Sequence, residues 1–405
     1  MINPALKDEL MRLTSALSFP RRSGSSGNER ARAIITSQLQ EYGYKVQSEE
    51  FTYNPVPGLV LNAMIHLALI FFDFSLFLIL WNNFNSVKWF QVIAAIAMIG
   101  ILFVFMSIPL GFRQRFVHEK SSVPSRFART GFNIVADAGD IGSHESDPAI
   151  VVIGAHYDSI ALLFPPKLNI FVFVMNTVGV LVVAILAIFE GFWFLATGPS
   201  NVWFRLIFAL LTLLVLGTLV ARFFNKRSNT SNGAIDNASG CAVALLLAKE
   251  CGSVQAMGFS KVRFVFFGAE EEGLWGSLFH SGAHAGEFQA DYKGNVVAIS
   301  IDEPGGPGKF MTSNSFGFPR IVKSPSTSTF LVLHDAIQKK AGTGIQNTWF
   351  PYPASDHASF VVKGFAGTWL SHVYVNANSR MDKLEDMDMD HMCLVFDAIA
   401  GFLKK

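Results

Sequence analysis

The chain reads as an α/β protein with a mostly parallel central sheet flanked by helices, interrupted by two inserted transmembrane helical hairpins. Three observations predict this. Short apolar, β-branched runs alternate with helical patterns along the polar parts of the sequence. Four apolar runs are each long enough to span a bilayer, which takes about 20 mostly apolar residues. Those runs come in two close pairs, so the chain returns each time to the side it left.

The spans are Leu59–Trp81, Trp89–Gly111, Leu168–Ala196 and Trp203–Phe224. A helix buried in a soluble core rarely sustains such a length without a polar face. Trp81, Trp89 and Trp203 sit at the ends of their runs, as interfacial aromatics do. The tips are short, Asn82–Lys88 and Thr197–Asn201. Residues 1–57, 112–166 and 226–405 therefore form one discontinuous domain on one side of the bilayer, with hairpins at 58–111 and 167–225. Near the spans, the domain side carries Arg113, Arg115, Lys120, Lys167, Arg222, Lys226 and Arg227, against Lys88 and Arg205 near the tips. That bias places the domain in the cytoplasm. The opening "MINPALKDELMRLTSAL" is charged and amphipathic, without the pattern of a cleavable signal peptide. His66 and Asp73 are seven residues apart, hence on one face of the first span. With Asn169, Asn176 and Glu190 they either glue helices together or mark a function in the membrane.

Composition limits the remaining classes. Of 405 residues, 51% are hydrophobic and 16% charged, and the formal net charge is +1. No strong field recruits nucleic acid. Cys241, Cys251 and Cys393 are odd in number and widely spaced, which implies neither a disulfide framework nor a Cys-based zinc site.

In order, "NERARAIITSQLQEYGY" has apolar positions at helical spacing and "KVQSEEFTY" reads as a strand. "AIVVIGAHYDS" contains a short β-branched run. "NASGCAVALLLAKECG" is a helix with the cap formers Asn237 and Ser239 at its start and Gly252 at its end. "KVRFVFFGAEEEG" and "GNVVAISIDEPGG" are two more buried-strand patterns.

Three of these strands end in potential metal ligands: His156 and Asp158, the run Glu270–Glu271–Glu272, and Asp302 with Glu303. Asp236 lies in a loop before a helix. In open α/β sheets, sites form beyond the carboxyl ends of the strands. Any one such residue is more often structural. Together they fit an oxygen and nitrogen site for zinc or a similar divalent cation. His156 and Asp158 leave an extended chain on the same face. Asp158 is thus placed to hold the free ring N–H of a metal-bound His156. Glu270 and Glu271 are neighbours at a strand end and point differently, so one can bind metal while the other reaches water.

"GAHYDS", "AIDNASG", "FFGAEEEGLWGS" and "SDHASFVVKGF" resemble the motifs of the co-catalytic di-zinc aminopeptidases, a family that also contains glutaminyl cyclases and glutamate carboxypeptidases. "FPRRSGSSGNERARAIITSQLQEYGYKVQSEEFTY" is similar to that family's first helix and strand. The resemblance covers nearly all of the polar sequence and leaves the two hairpins as insertions. It implies a zinc-peptidase fold binding one or two Zn2+ per chain. It implies that His156 and Asp302 hold one zinc, Asp236 bridges, Glu271 holds the other, and Glu270 is the general acid/base, with Asp158 beside them. Glu272 takes the variable position, where a solvated acid favours the start of the next helix.

One position departs from the pattern. Where the family has its last ligand histidine, an ungapped match places Asn378, with Asp382 at the following Asp. His372 lies six residues earlier and is the alternative ligand. The resemblance implies a membrane-anchored aminopeptidase acting on peptides. A glutaminyl cyclase or carboxypeptidase uses the same ligands. From another class, a peptide-binding membrane protein without turnover draws support from Asn378 alone. A transporter has little support, since only four spans without internal repeats are visible.

Overall fold

Strands form where the β-branched and aromatic runs predict them, and their carboxyl ends set out the candidate site. The structure, a computed structural model, describes residues 4–107, 113, 115–119, 126–139, 148–253, 259–318, 321–342 and 346–404. Lys120 and the end of the span read as Trp89–Gly111 lie outside the described residues.

The first elements are α1 (Pro4–Leu17), α2 (Ser26–Glu41), β1 (Gln47–Tyr53), α3 (Val56–Ile79) and α4 (Asn85–Ser107). Next come β2 (Val117–Glu119), β3 (Arg129–Ala138), β4 (Ile150–His156), α5 (166–197, with one π turn at Met175–Gly179) and α6 (Val202–Ala221). The rest are α7 (Gly240–Ser253), β5 (Lys261–Phe267), α8 (Trp275–Ala283), α9 (Ala285–Ala290), β6 (Val296–Ile301) and β7 (Phe310–Ser313). Then follow α10 (Ser328–Ala341), β8 (Gln346–Asn347), α11 (His357–Val361), β9 (Ala366–His372) and α12 (Met389–Leu403).

Two compact units result, residues 1–55, 109–161 and 228–405, and residues 56–108 and 162–227. In the first, nine strands form one sheet in the order β8-β7-β9-β6-β4-β5-β3-β1-β2. The centre, β9-β6-β4-β5, is parallel. The β3, β1 and β2 edge is antiparallel, as is the β7–β9 pair. Every residue of β4 and β6 is buried, which is why both read as unbroken apolar runs. Successive residues of β4 serve opposite faces. Val151, Ile153 and Ala155 pack under α1, α2, α7 and α12, while Ile150 and Val152 join Phe267, Phe288 and Phe360 on the other face.

The helix caps follow from the sequence in part. Ser25 caps α2 by accepting from the N–H of Asn28 at 3.2 Å. Asn237 caps α7, its Oδ1 accepting from Gly240 N at 3.0 Å. Ser239 does not cap. Its hydroxyl donates back to the Ile235 carbonyl.

The second unit contains four helices long and apolar enough to cross a membrane. In it α4 packs on α3 and α5, and α3 on α6. The polar residues noted in the sequence are mostly used between helices. Thr218 donates to Asn176 at 2.9 Å. Lys88, expected as a tip charge, is fully buried, with its ammonium 3.0 Å from Glu190 and 3.2 Å from Gln91. Arg205 lies 3.6 Å from the same Glu190. A buried ammonium needs such a partner, because leaving water is costly for an unpaired charge. His66 and Asp73 are both buried, and the Asp73 carboxylate finds no hydrogen-bond partner among the described residues.

Candidate active site

Three parallel strands end side by side and bring the candidate ligands together. His156 ends β4 in register with Phe267 at the end of β5, and Asp302 follows the end of β6. Asp236 arrives from the loop before α7. His156 Nε2 lies 3.3 Å from Asp236 Oδ1 and 3.2 Å from Asp302 Oδ1. All three side chains are buried.

The stretch after β5 places the acids. A Cβ on Gly268 would lie 2.4 Å from the Phe132 carbonyl, and one on Gly276 2.5 Å from the Gly268 carbonyl. Only glycine permits this backbone-on-backbone contact, which folds the chain back at once into α8. The turn between them carries Glu270 and Glu271. Glu270 Oε2 sits 3.9 Å from His156 Nε2. The charges acting on Glu270 are those of His156, Asp356, Asp302 and Asp158, and those acting on Glu271 are Asp236, Glu270, His156 and Asp158.

Asp158 serves differently from the sequence expectation. The His156 ring Nδ1 meets the backbone carbonyl of Asp158 at 3.2 Å, closer than the carboxylate at 3.7 Å. The Asp158 carboxylate instead accepts the backbone N–H groups of Glu270 and Glu271 at 3.1 and 3.2 Å. It pins the turn that carries both acids. Glu272 also departs from expectation. It is buried rather than solvated, paired with Arg22 at 2.7 Å and Arg129 at 3.4 Å.

Asn378 stands beside Asp236. Its backbone N–H and side-chain amide both donate to Asp236 Oδ2, at 3.3 and 2.8 Å. His372 is elsewhere. Its ring stacks on His391 with centroids 4.0 Å apart and lines a cavity of about 430 Å³ with Lys309 and Phe310.

Several supporting contacts escaped the sequence reading, which named Asp382 and Asn237 without these partners. Arg21 is fully buried and donates to the carbonyls of Tyr157, Asn232 and Gly233, tying the His156 loop to the Asp236 loop. The Asp382 carboxylate accepts the N–H groups of Ile235 and Asp236 at 2.8 and 3.0 Å. Asn237 donates to the Ile301 carbonyl at 2.8 Å, joining the Asp236 loop to β6. Ser355 donates to Asp302 Oδ2 at 2.8 Å, leaving Oδ1 for the cluster. Asp356 beside it is buried and pushed up to about 7, by burial first. The hint for Arg21, Asn237, Ser355 and Asp356 was their place inside the quoted motifs.

The electrostatics are those of carboxylates crowded out of water. Burial first, then the surrounding acids, raises Glu270 and Glu271 well above the ordinary carboxylate range. Burial opposes charge on His156, but Glu270 and Asp302 raise it well above its ordinary value. A cation among these groups would reverse that logic and hold the acids ionised. The donor set fits zinc. One imidazole nitrogen and two carboxylate oxygens, from His156, Asp236 and Asp302, lie within 4.8 Å of one another. Glu271 Oε1 is buried without a hydrogen-bond partner among the described residues, as an oxygen reserved for a cation would be.

Comparison with known proteins agrees with this arrangement. Residues 219–403 match peptidase family M28. The match covers a little under half of the chain and is a likeness to that family. This M28 segment holds Asp236, Glu270, Glu271, Asp302 and Asn378. Among solved structures, the fold is similar to an aminopeptidase from Aneurinibacillus sp. strain AM-1, at a TM-score of 0.53 and 14% identity, covering 98% of this chain and 92% of that one. It is also similar to a glutaminyl cyclase from Fimbriiglobus ruber, at 0.53 and 12%, covering 100% and 96%. A zinc aminopeptidase from Bacillus subtilis matches at 0.51 and 12%, covering 99% and 95%. No curated protein sequence matches the chain.

Proposed function

We propose that the chain is a membrane-anchored, zinc-dependent aminopeptidase. The observation that carries this is the meeting of His156, Asp236 and Asp302, with Glu270 beside them, in a chain whose residues 219–403 match peptidase family M28. The zinc aminopeptidase among its structural neighbours supports the choice of reaction. His156, Asp236 and Asp302 would hold one zinc, and Glu271, whose Oε1 is buried without a hydrogen-bond partner among the described residues, would hold a second. A bound zinc lowers the pKa of a water toward about 7 and polarises the scissile carbonyl.

The protein groups do the rest. Glu270 takes the proton of the attacking water and returns it to the leaving amine, so that no charged amide nitrogen departs. Asp158 fixes Glu270 through its backbone N–H. Ser355 and Asn378 hold the outer oxygens of Asp302 and Asp236, so the inner oxygens keep their direction.

Detergent-purified protein should release the N-terminal residue from aminoacyl-nitroanilides and from peptides with a free amine. Acetylated peptides should resist, and a chelator should stop the reaction. Loss of water from peptides beginning with Gln, without release of a residue, would make the cyclase reading the right one. Release of the C-terminal residue alone would make it a carboxypeptidase, and absence of all three reactions in the zinc-loaded protein would leave the chain a binding protein.

The apolar helices support anchoring in a bilayer, and the Lys and Arg bias supports a cytoplasmic site. A reporter fused to the C-terminus should therefore be active in the cytoplasm. Signal from the opposite side would overturn the orientation.

A further inference from the structure

A second group of potential ligands lies apart from the catalytic cluster. Glu49 on β1 stands opposite Asn133 on β3 in the antiparallel ladder. His280 on α8 and His284, four residues on at the helix end, project toward Glu49 as residues one turn apart do. His280 Nδ1 is 2.9 and 3.0 Å from the two Glu49 oxygens, and His284 Nε2 is 2.7 Å from Glu49 Oε1. The two imidazole centroids are 4.4 Å apart.

The surroundings favour ligands over plain hydrogen bonds. His284 Nδ1 meets Glu287 Oε2 at 2.6 Å, the carboxylate–imidazole arrangement that orients a metal-bound histidine. Asn133 donates to Glu49 Oε2 at 3.1 Å and orients it. The positive neighbours are already matched: Arg263 and Lys261 both pair with Asp137 and Glu287, although Arg263 also approaches His284 Nδ1 at 3.2 Å.

His280 decides between the readings. Its side chain is fully buried, and Nε2 has no hydrogen-bond partner among the described residues. The rings of Phe267, Phe288 and Phe360 surround it at centroid distances of 6.0, 6.3 and 6.1 Å. A neutral imidazole has one proton. On Nδ1, it satisfies Glu49 but leaves a bare lone pair at Nε2 among aromatic rings. On Nε2, the N–H suits those rings, but the Nδ1 lone pair then faces a carboxylate. Full burial among those rings opposes carrying both protons. A cation between Nδ1 and Glu49 resolves the conflict, with Nε2–H turned to the rings.

We propose that Glu49, His280 and His284 form a binding site for one divalent transition cation of the zinc class, separate from the catalytic cluster. It joins β1 to α8. Asn133, which holds Glu49, also bonds the backbone of Gly268 and Gly276, at the base of the turn carrying Glu270. The competing arrangement is a His284 imidazolium clamped between Glu49 and Glu287, with no metal. There Nδ1 donates to Glu287 at 2.6 Å and Nε2 to Glu49 at 2.7 Å.

The test uses the full chain in detergent, stripped of metal and titrated with Co2+ alone and with Zn2+ alone. The unchanged chain should bind one equivalent more than His284→Gln, and the cobalt absorption of that equivalent should vanish in the variant. Glu287→Gln keeps all three ligands and should weaken the same equivalent by about 10–100-fold. His284→Gln should still fold, since this residue is partly exposed; the remaining catalytic equivalent reports that it has. Should it fail to fold, Glu287→Gln carries the decision. Equal stoichiometry and equal affinity in the unchanged chain and the variants would leave only the imidazolium clamp and overturn the proposal.

Discussion

Glu270→Ala should bind metal as the unchanged chain does and lose turnover by about 10²–10⁴-fold, the usual worth of a positioned general acid/base. The expectation rests on where each acid stands. Glu270 Oε2 lies 3.9 Å from the imidazole, outside the trio of converging donor atoms. Glu271 carries a buried oxygen with no hydrogen-bond partner among the described residues. Removing Glu270 therefore takes away a proton carrier and leaves His156, Asp236 and Asp302 in place. Metal content by elemental analysis, alongside kcat and KM on an aminoacyl-nitroanilide, checks this. The loss should fall on kcat with KM little changed. Loss of metal in Glu270→Ala, with metal kept in Glu271→Ala, would show that the two acids exchange roles.

The sequence made the ligand ends of the strands legible because parallel strands are buried on both faces. β4, β5 and β6 are mostly apolar and almost wholly buried, so a His or an acid at or just past their ends stands out. The hairpins were legible for the same reason, since their length in apolar residues leaves few other readings. Partnerships between distant segments were not. Nothing local to Asp158 says that its carboxylate bonds the backbone of Glu270 and Glu271, 112 and 113 residues away, rather than the imidazole two residues back. Arg22 and Arg129 turn Glu272 inward, and Glu190 takes Lys88 out of the tip. Each case is a charge whose burial depends on a partner that only the fold supplies. Glu49, His280 and His284 escaped for this reason too, being split between an edge strand and a helix more than 200 residues later.

Asn378→His should raise the tight zinc bound at the His156, Asp236 and Asp302 cluster from one equivalent to two. In the unchanged chain both amide donors at residue 378 point at Asp236 Oδ2, the oxygen turned away from His156. A second cation bridged by Asp236 would have to share that oxygen, and it would find a weak amide carbonyl where the family pattern supplies an imidazole. The backbone does not forbid the change. Residue 378 has φ of 55°, in the left-handed region that histidine enters more readily than most residues. Zinc per chain should be counted in the His284→Gln background, so that the Glu49 group cannot contribute. One equivalent is expected there, and two after Asn378→His. His372→Ala should change neither count, because His372 stacks on His391 away from the cluster. Two tight equivalents before the substitution, or one before and after, would show that Asp236 Oδ2 and its amide donors do not decide the metal number.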